Sequence, residues 1–126
     1  MEQDIIIKAL EKIRACGAVA LAAGDLKRSL LVRDALPRDI DSKELIQLGG
    51  VGDVVGHILD AEGRLLTHKI NERVIGISLE DLTKIPNVIL AAGGCHKVPI
   101  IRASLRNGFI DTLVTDEQTA EALLKD

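Results

Sequence analysis

The residues best placed to do chemistry lie in "NVILAAGGCHKVPI" (residues 87–100), where an apolar run stops at Gly93 and Gly94 and Lys97 follows three residues on. Two glycines let a backbone approach a ligand closely and take positive φ. A helix beginning there offers unpaired N–H groups and the positive end of its dipole. With the Lys97 ammonium added, the pattern suits a phosphate or a carboxylate. A tight strand-to-helix turn with a solvated lysine explains the same residues, and spacing alone leaves both readings open.

Two further candidates stand apart in sequence. "GGVGDVVGHI" (49–58) is rich in glycine but lacks the Gly-Lys-Ser/Thr ending of a nucleotide-binding loop. Its Asp53 could accept hydrogen bonds from sugar hydroxyls, or could be an ordinary turn aspartate. Arg73 precedes the apolar stretch "VIGI", where a guanidinium could pair bidentately with a phosphate or simply face water. His57, His68 and His96 share no i, i+4 spacing with another His or Cys, so no metal site is expected. Cys95 and His96 are adjacent, a poor arrangement for a nucleophile and its base, and no nucleophile elbow is present. No cofactor motif is found.

These residues need a scaffold. The 126-residue length suits one domain with a real core, and 47% apolar against 28% charged residues argues against disorder. One Phe with no Tyr or Trp leaves no base-stacking platform, and a formal net charge of -3 with scattered basic residues disfavours a DNA-binding surface in this segment. Cys16 and Cys95 read as reduced thiols in a cytoplasmic protein. No apolar run reaches membrane-spanning length, so no membrane contact is expected.

Residues 4–16 place Ile6, Ala9, Leu10, Ile13 and Cys16 on one helical stripe, with Asp4 as a cap and Gly17 as the stop. "AVALAA" (18–23) reads as a buried strand, residues 24–36 as a helix stopped by Pro37, and residues 40–50 as a short helix with an Asp41/Glu44 capping box. Residues 53–60 and 64–70 read as a strand pair around "AEG". Ser78 caps a helix over 78–85, and residues 88–92 form a strand. A helix follows over 97–108 with Pro99 in its first turn, then a strand over 111–115 and a last helix capped by Thr115. Strands alternating with helices, as continuous apolar runs, predict an α/β fold with a mostly parallel sheet covered on both faces. Ligands of such sheets bind at the carboxyl ends of the strands, where Gly93, Gly94, Thr115 and Asp116 fall.

"GGVGDVVGHILDAEGR", "NERVIGISLEDLTKIPNVILAAGG" with Lys97, and "LRNGFIDTLVTDEQTAEALL" together resemble the SorC family of bacterial transcriptional regulators. The likeness runs from about Ala18 to the end and is to the C-terminal part of that family's sugar-binding domain. It implies a Rossmann-like sheet related to the sugar-phosphate isomerase and glucosamine-phosphate deaminase group. It also implies a cytoplasmic sensor of phosphorylated sugars that alters operator binding, as a dimer or tetramer. By this resemblance Arg73 and Lys97 contact the effector, Gly93 and Gly94 shape the pocket wall, and Asp53 contributes. Thr115, Asp116 and Glu117 would lie at the rim or at a subunit contact. The chain would be a partial effector domain, without the family's helix-turn-helix and the first half of its sugar domain, so DNA contact would run through those missing parts. Two other functions fit less of the pattern: a sugar-phosphate isomerase or deaminase using Asp53, Glu72 or His57 as acid or base, and a self-association module.

Overall fold

A computed structural model of the chain describes residues 2–28 and 36–125. The elements, in order, are α1 (Glu2–Arg14), β1 (Ala18–Leu21), β2 (Ala23–Gly24), α2 (Ser42–Gln47), β3 (Gly50–Val54), β4 (His57–Asp60), α3 (Lys69–Glu72), α4 (Leu79–Thr83), β5 (Asn87–Ala91), α5 (Val98–Asn107), β6 (Thr112–Val114) and α6 (Glu117–Leu124). A 3-10 turn, Cys95–Lys97, leads into α5. No helix among the described residues is long and apolar enough to cross a membrane.

Two sheets form. β1, β5 and β6 make the parallel sheet that alternation of strands and helices predicts. β2, β3 and β4 make a second, antiparallel sheet that the sequence reading did not anticipate. The apolar run 18–23, expected as one strand, serves both: it leaves the parallel sheet at Leu21 and pairs Ala23 with Val54 in the other. Helix α5 lies across the junction. Where it crosses β3, a Cβ at Gly52 would overlap the Gly24 carbonyl and sit 2.6 Å from Ile100 Cβ. Only glycine permits that approach.

One buried cluster joins the sheets through Val54, Leu59, Val88, Leu90, Ile100 and Phe109. A second, with Leu45, Ile58 and Ile70, fills the space under α2 and α3. Ile58 and Leu59 are neighbours in β4 yet fall in different clusters, because successive strand residues face opposite ways. The antiparallel sheet is therefore packed on both faces.

Several local expectations are corrected. Helix α1 begins at Glu2, so Asp4 lies inside it and caps nothing. The hairpin turns at Val55-Gly56, both at positive φ (54° and 81°), and not at "AEG". A two-residue loop of that hand matches strand twist. A valine there is costly, and Val55 packs against the first core cluster, which offsets it. Residues 64–70 supply one bridge, Leu59 to Leu65, and then α3. In place of a strand, Asn71 borders β4: its Oδ1 accepts from the Ile58 amide at 2.8 Å and its Nδ2 donates to the Ile58 and Leu66 carbonyls. Asp41 caps α2 through the Lys43 amide, while Glu44 turns to His68 at 3.2 Å, so no capping box closes. Asp116, and not Thr115, caps α6. Ser78 caps α4, Pro99 opens α5 and Gly108 closes it in the left-handed region, as the sequence predicts. The helix expected over 24–36 is not found at its start, where Gly24 is in β2 and residues 26–28 form a turn; residues 29–35 lie outside the described residues.

Candidate functional site

The carboxyl ends of β5 and β6 carry the glycine pair. Gly94 has φ 109°, which favours glycine. Its amide does not face an open pocket. It donates to Asp116 Oδ2 at 3.1 Å and to Thr119 Oγ1 at 2.9 Å. The same carboxylate accepts from the Thr119 amide at 2.8 Å and from its hydroxyl at 2.9 Å. A Cβ at Gly93 would run into Asp116 Oδ2. So the close approach that Gly93 permits is to a carboxylate of the chain itself. The Thr119 amide and hydroxyl, then the Gly94 amide, hold the Asp116 carboxyl below the ordinary carboxylate range. The Gly94 amide is already engaged within the chain.

Asp53 is the contrary case. It sits in β3 opposite Gly24, and its Oδ1 is buried without a hydrogen-bond partner. Burial pushes its carboxyl up from 3.8 to about 6, with the negative charge of Asp25 adding to the rise. The Gly56 amide and the Lys97 ammonium pull the other way. Lys97, half-buried just ahead of α5, is thus close enough to act on Asp53. The two expected residues, from opposite halves of the sequence, thus lie within electrostatic reach of each other.

Asp25 was missed by the sequence reading. It is buried, and its Oδ1 accepts from the Arg28 amide at 3.0 Å. It also lines a cleft of about 350 Å³ with Lys27, Arg28, Val51, His96 and Pro99. The available signal was its place two residues past the end of the apolar run 18–23, just after Gly24. Thr115, at the end of β6, adds a second buried oxygen without a partner, Oγ1.

Arg73 stands apart from this group. It closes α3 and grips Asp39 bidentately, both bonds 3.2 Å, while Lys69 reaches the same carboxylate at 3.1 Å. About half of each side chain of the Arg73–Asp39 pair is exposed. The two cations hold the Asp39 carboxyl down to about 2. Val74, the next residue, lies 3.5 Å from where a Gly56 Cβ would stand, so the backbone here runs beside the hairpin turn that follows Asp53. Neither Cys16 nor Cys95 is in a disulfide, and no cluster of metal-ligating side chains occurs among the described residues.

The arrangement is a parallel sheet with a closed glycine turn at its rim, and in the second sheet a buried carboxylate within electrostatic reach of Lys97. Residues 1–125 match the protein-family model described as "Putative sugar-binding domain", and the chain belongs to that family. Its solved neighbours are sugar-binding domains of SorC- and DeoR-type regulators. A DeoR family transcriptional regulator from Listeria monocytogenes superposes with a TM-score of 0.87 at 30% identity, over 96% of this chain and 49% of that one. The full-length sorbitol operon regulator SorC from Klebsiella pneumoniae superposes at 0.82 with 25% identity, over 94% of this chain and 39% of that one. In sequence, the transcriptional regulator LsrR of Escherichia coli (strain K12) is 42% identical over 78 residues, 61% of this chain and 25% of LsrR. The deoxyribonucleoside regulator of Bacillus subtilis is 37% identical over 86 residues, 68% of this chain and 28% of that protein. The match thus spans about a quarter of the length of these curated relatives. The resemblance read from the sequence to SorC-type sugar-binding domains holds, and so does the parallel sheet flanked by helices.

Proposed function

We propose that this chain is the effector-sensing part of a sugar-responsive transcriptional regulator and binds a phosphorylated sugar at Asp53, Arg73, Gly93, Gly94 and Lys97. The observation that carries this reading is the bare, buried Oδ1 of Asp53, within electrostatic reach of Lys97. An unpaired buried acceptor is costly, and a sugar hydroxyl satisfies it by donating. The Lys97 ammonium supplies a point charge for the phosphate. Gly93 and Gly94 contribute shape, since the Gly94 amide is already engaged. Arg73 joins when a phosphate outcompetes Asp39 for its guanidinium. That the relatives are regulators supports a non-enzymatic role. The intact regulator would work in the cytoplasm as a homo-oligomer and touch its operator through a separate helix-turn-helix. Effector binding would favour one arrangement of the domains and shift operator affinity by that differential.

Calorimetric titration with ribose, deoxyribose and sorbitol phosphates, each beside its unphosphorylated sugar, tests the reading. Binding is expected for at least one phosphate ester, with affinity falling at least tenfold in Lys97→Met, an on-the-order-of loss for one charge-assisted contact. Equal binding of ester and free sugar, or no binding by any, overturns it.

A further inference from the structure

A buried carboxylate with an unpaired cation in reach occurs twice in this fold. The first case is Asp53 with Lys97. The second is Asp25, in the cleft of about 350 Å³ that it lines with Lys27, Arg28 and His96. That volume is within the range of small-ligand sites. Neither Asp53 nor Lys97 lines this cleft, yet the charge of Asp25 acts on Asp53, so the two places adjoin. They also share elements. Val51, on one wall, precedes Asp53 by two residues in β3 and so lies on the same face of that strand. His96, on another, directly precedes Lys97. Its ring lies against Gly94: Cε1 is 2.7 Å from where a Cβ at that position would stand. A side chain at residue 94 would push the imidazole off the cleft. Lys27 and Arg28 are exposed, and among the described residues neither they nor Lys97 have a carboxylate in ion-pair range. Arg73 and Lys69, by contrast, share Asp39.

We propose that the cleft at Asp25 is a second anion site continuous with the first, and that the effector is a sugar with two anionic groups: a phosphate at Lys97, and a further phosphate or a carboxylate held by Lys27, Arg28 and His96. The inference rests on the sugar-phosphate reading above and narrows its ligand class. The guanidinium of Arg28 offers a planar fork that matches either anion, and Lys27 adds a point charge. The imidazole of His96 donates from one nitrogen when neutral and from both when charged. Against these stands one carboxylate, and the Arg28 amide already occupies its Oδ1. Asp25 is therefore suited, like Asp53, to accept from sugar hydroxyls. One phosphate at Lys97 would leave the cations of the cleft without a counter-charge; a second anionic group on the same sugar supplies it. The two sets come from different elements, Lys27 and Arg28 from the turn after β2 and Lys97 from the turn into α5, so a sugar lying across Asp25 and Asp53 is held at both ends.

The test is calorimetric titration of the chain with ribose and glucose, each as monophosphate and as bisphosphate, and with phosphogluconate, which carries a carboxylate in place of the second phosphate. At least one doubly anionic sugar is expected to bind at least about tenfold tighter than its monophosphate, the scale of one charge-assisted contact. The two kinds of second anion are separated by whether the bisphosphates or phosphogluconate show the gain. Lys27→Ala with Arg28→Ala, both exposed positions, is expected to keep the circular dichroism of the chain and erase that preference. Lys125→Ala, which removes an exposed charge that does not line the cleft, is expected to keep it. Monophosphates bound as tightly as the doubly anionic sugars would overturn this inference and leave the sugar-phosphate reading standing. So would a preference that survives Lys27→Ala with Arg28→Ala, or one that Lys125→Ala reduces as much. No binding by any of the five would overturn the reading beneath it as well.

Discussion

At the glycine pair the chain satisfies its own polar groups; at Asp53 it leaves an oxygen bare. The Gly94 amide has two acceptors, Asp116 and Thr119, and the Asp116 carboxylate has a donor for each oxygen. Asp53, in the antiparallel sheet, has a buried oxygen with none. Both places looked alike in sequence, as a glycine-rich turn with a charged residue near it. The difference lies in who supplies the partner. A closed network rigidifies its surroundings and contributes stability. An open one costs stability until a ligand arrives, which is the character of a site.

The largest effect is expected where scaffold and site meet. In Gly52→Ala the new methyl strikes the Gly24 carbonyl and Ile100 Cβ, backbone and α5 at once, and neither can swing aside. Overpacking of that kind costs about 3 kcal/mol, so urea denaturation should show a strongly lowered midpoint. A midpoint within error of the parent would mean that α5 does not press on β3, and the frame that holds Lys97 near Asp53 would be lost with it.

Next comes Asp53 itself. Burial raises its carboxyl from 3.8 to about 6. Between those values the folded chain holds a proton that the unfolded chain has released, so stability falls as pH climbs through that window. Below it both states are protonated and nothing is lost; above it the full penalty applies, about 2 kcal/mol after allowance for the part still open to water. Asp53→Asn, of the same shape and uncharged, should flatten the slope and be the more stable protein at neutral pH while binding sugar phosphates worse. A variant that loses stability at neutral pH instead would place Asp53 with the scaffold.

Thr119→Val opposes that result with the reverse sign. The hydroxyl is fully buried and bonded on both sides, to Gly94 and to Asp116. Removing it keeps the volume and costs about 1 kcal/mol, visible as a small drop in melting temperature, with effector affinity unchanged.

The two regions also explain what the sequence did and did not disclose. Ser78, Pro99 and Gly108 were legible because caps and breakers act over one turn, and the β5–α5–β6 unit followed from them. The run 18–23 misled because apolar periodicity does not say which sheet a residue joins; a chain that changes sheets between Leu21 and Ala23 looks continuous. The turn at Val55-Gly56 was hidden because a valine at positive φ contradicts local preference and is held by core packing. Asn71 gave no local sign, since its bonds reach β4 from thirteen residues away. Asp53 and Lys97 were each legible as chemistry, but their proximity depends on α5 crossing β3, which no spacing encodes. Asp116 was visible as a helix-start residue; that it would fill the glycine nest was not.

The smallest expected effect tests the side of the comparison that Arg73 occupies. Asp39 is exposed, and its bonds to Arg73 and Lys69 run through water-accessible side chains. Such pairs contribute little to folding, because solvent screens them and two long side chains must be ordered. Asp39→Ala should therefore leave the urea midpoint within experimental error. Its consequence, if Arg73 serves the site, is on binding: a guanidinium no longer held by a carboxylate is free to meet a phosphate, and affinity for a sugar phosphate should rise by a factor of a few. Arg73→Ala should abolish that gain in the double variant. A rise that survives without Arg73 would assign the effect to the loop around Asp39, and would leave Asp53 and Lys97 as the pair that recognises the effector.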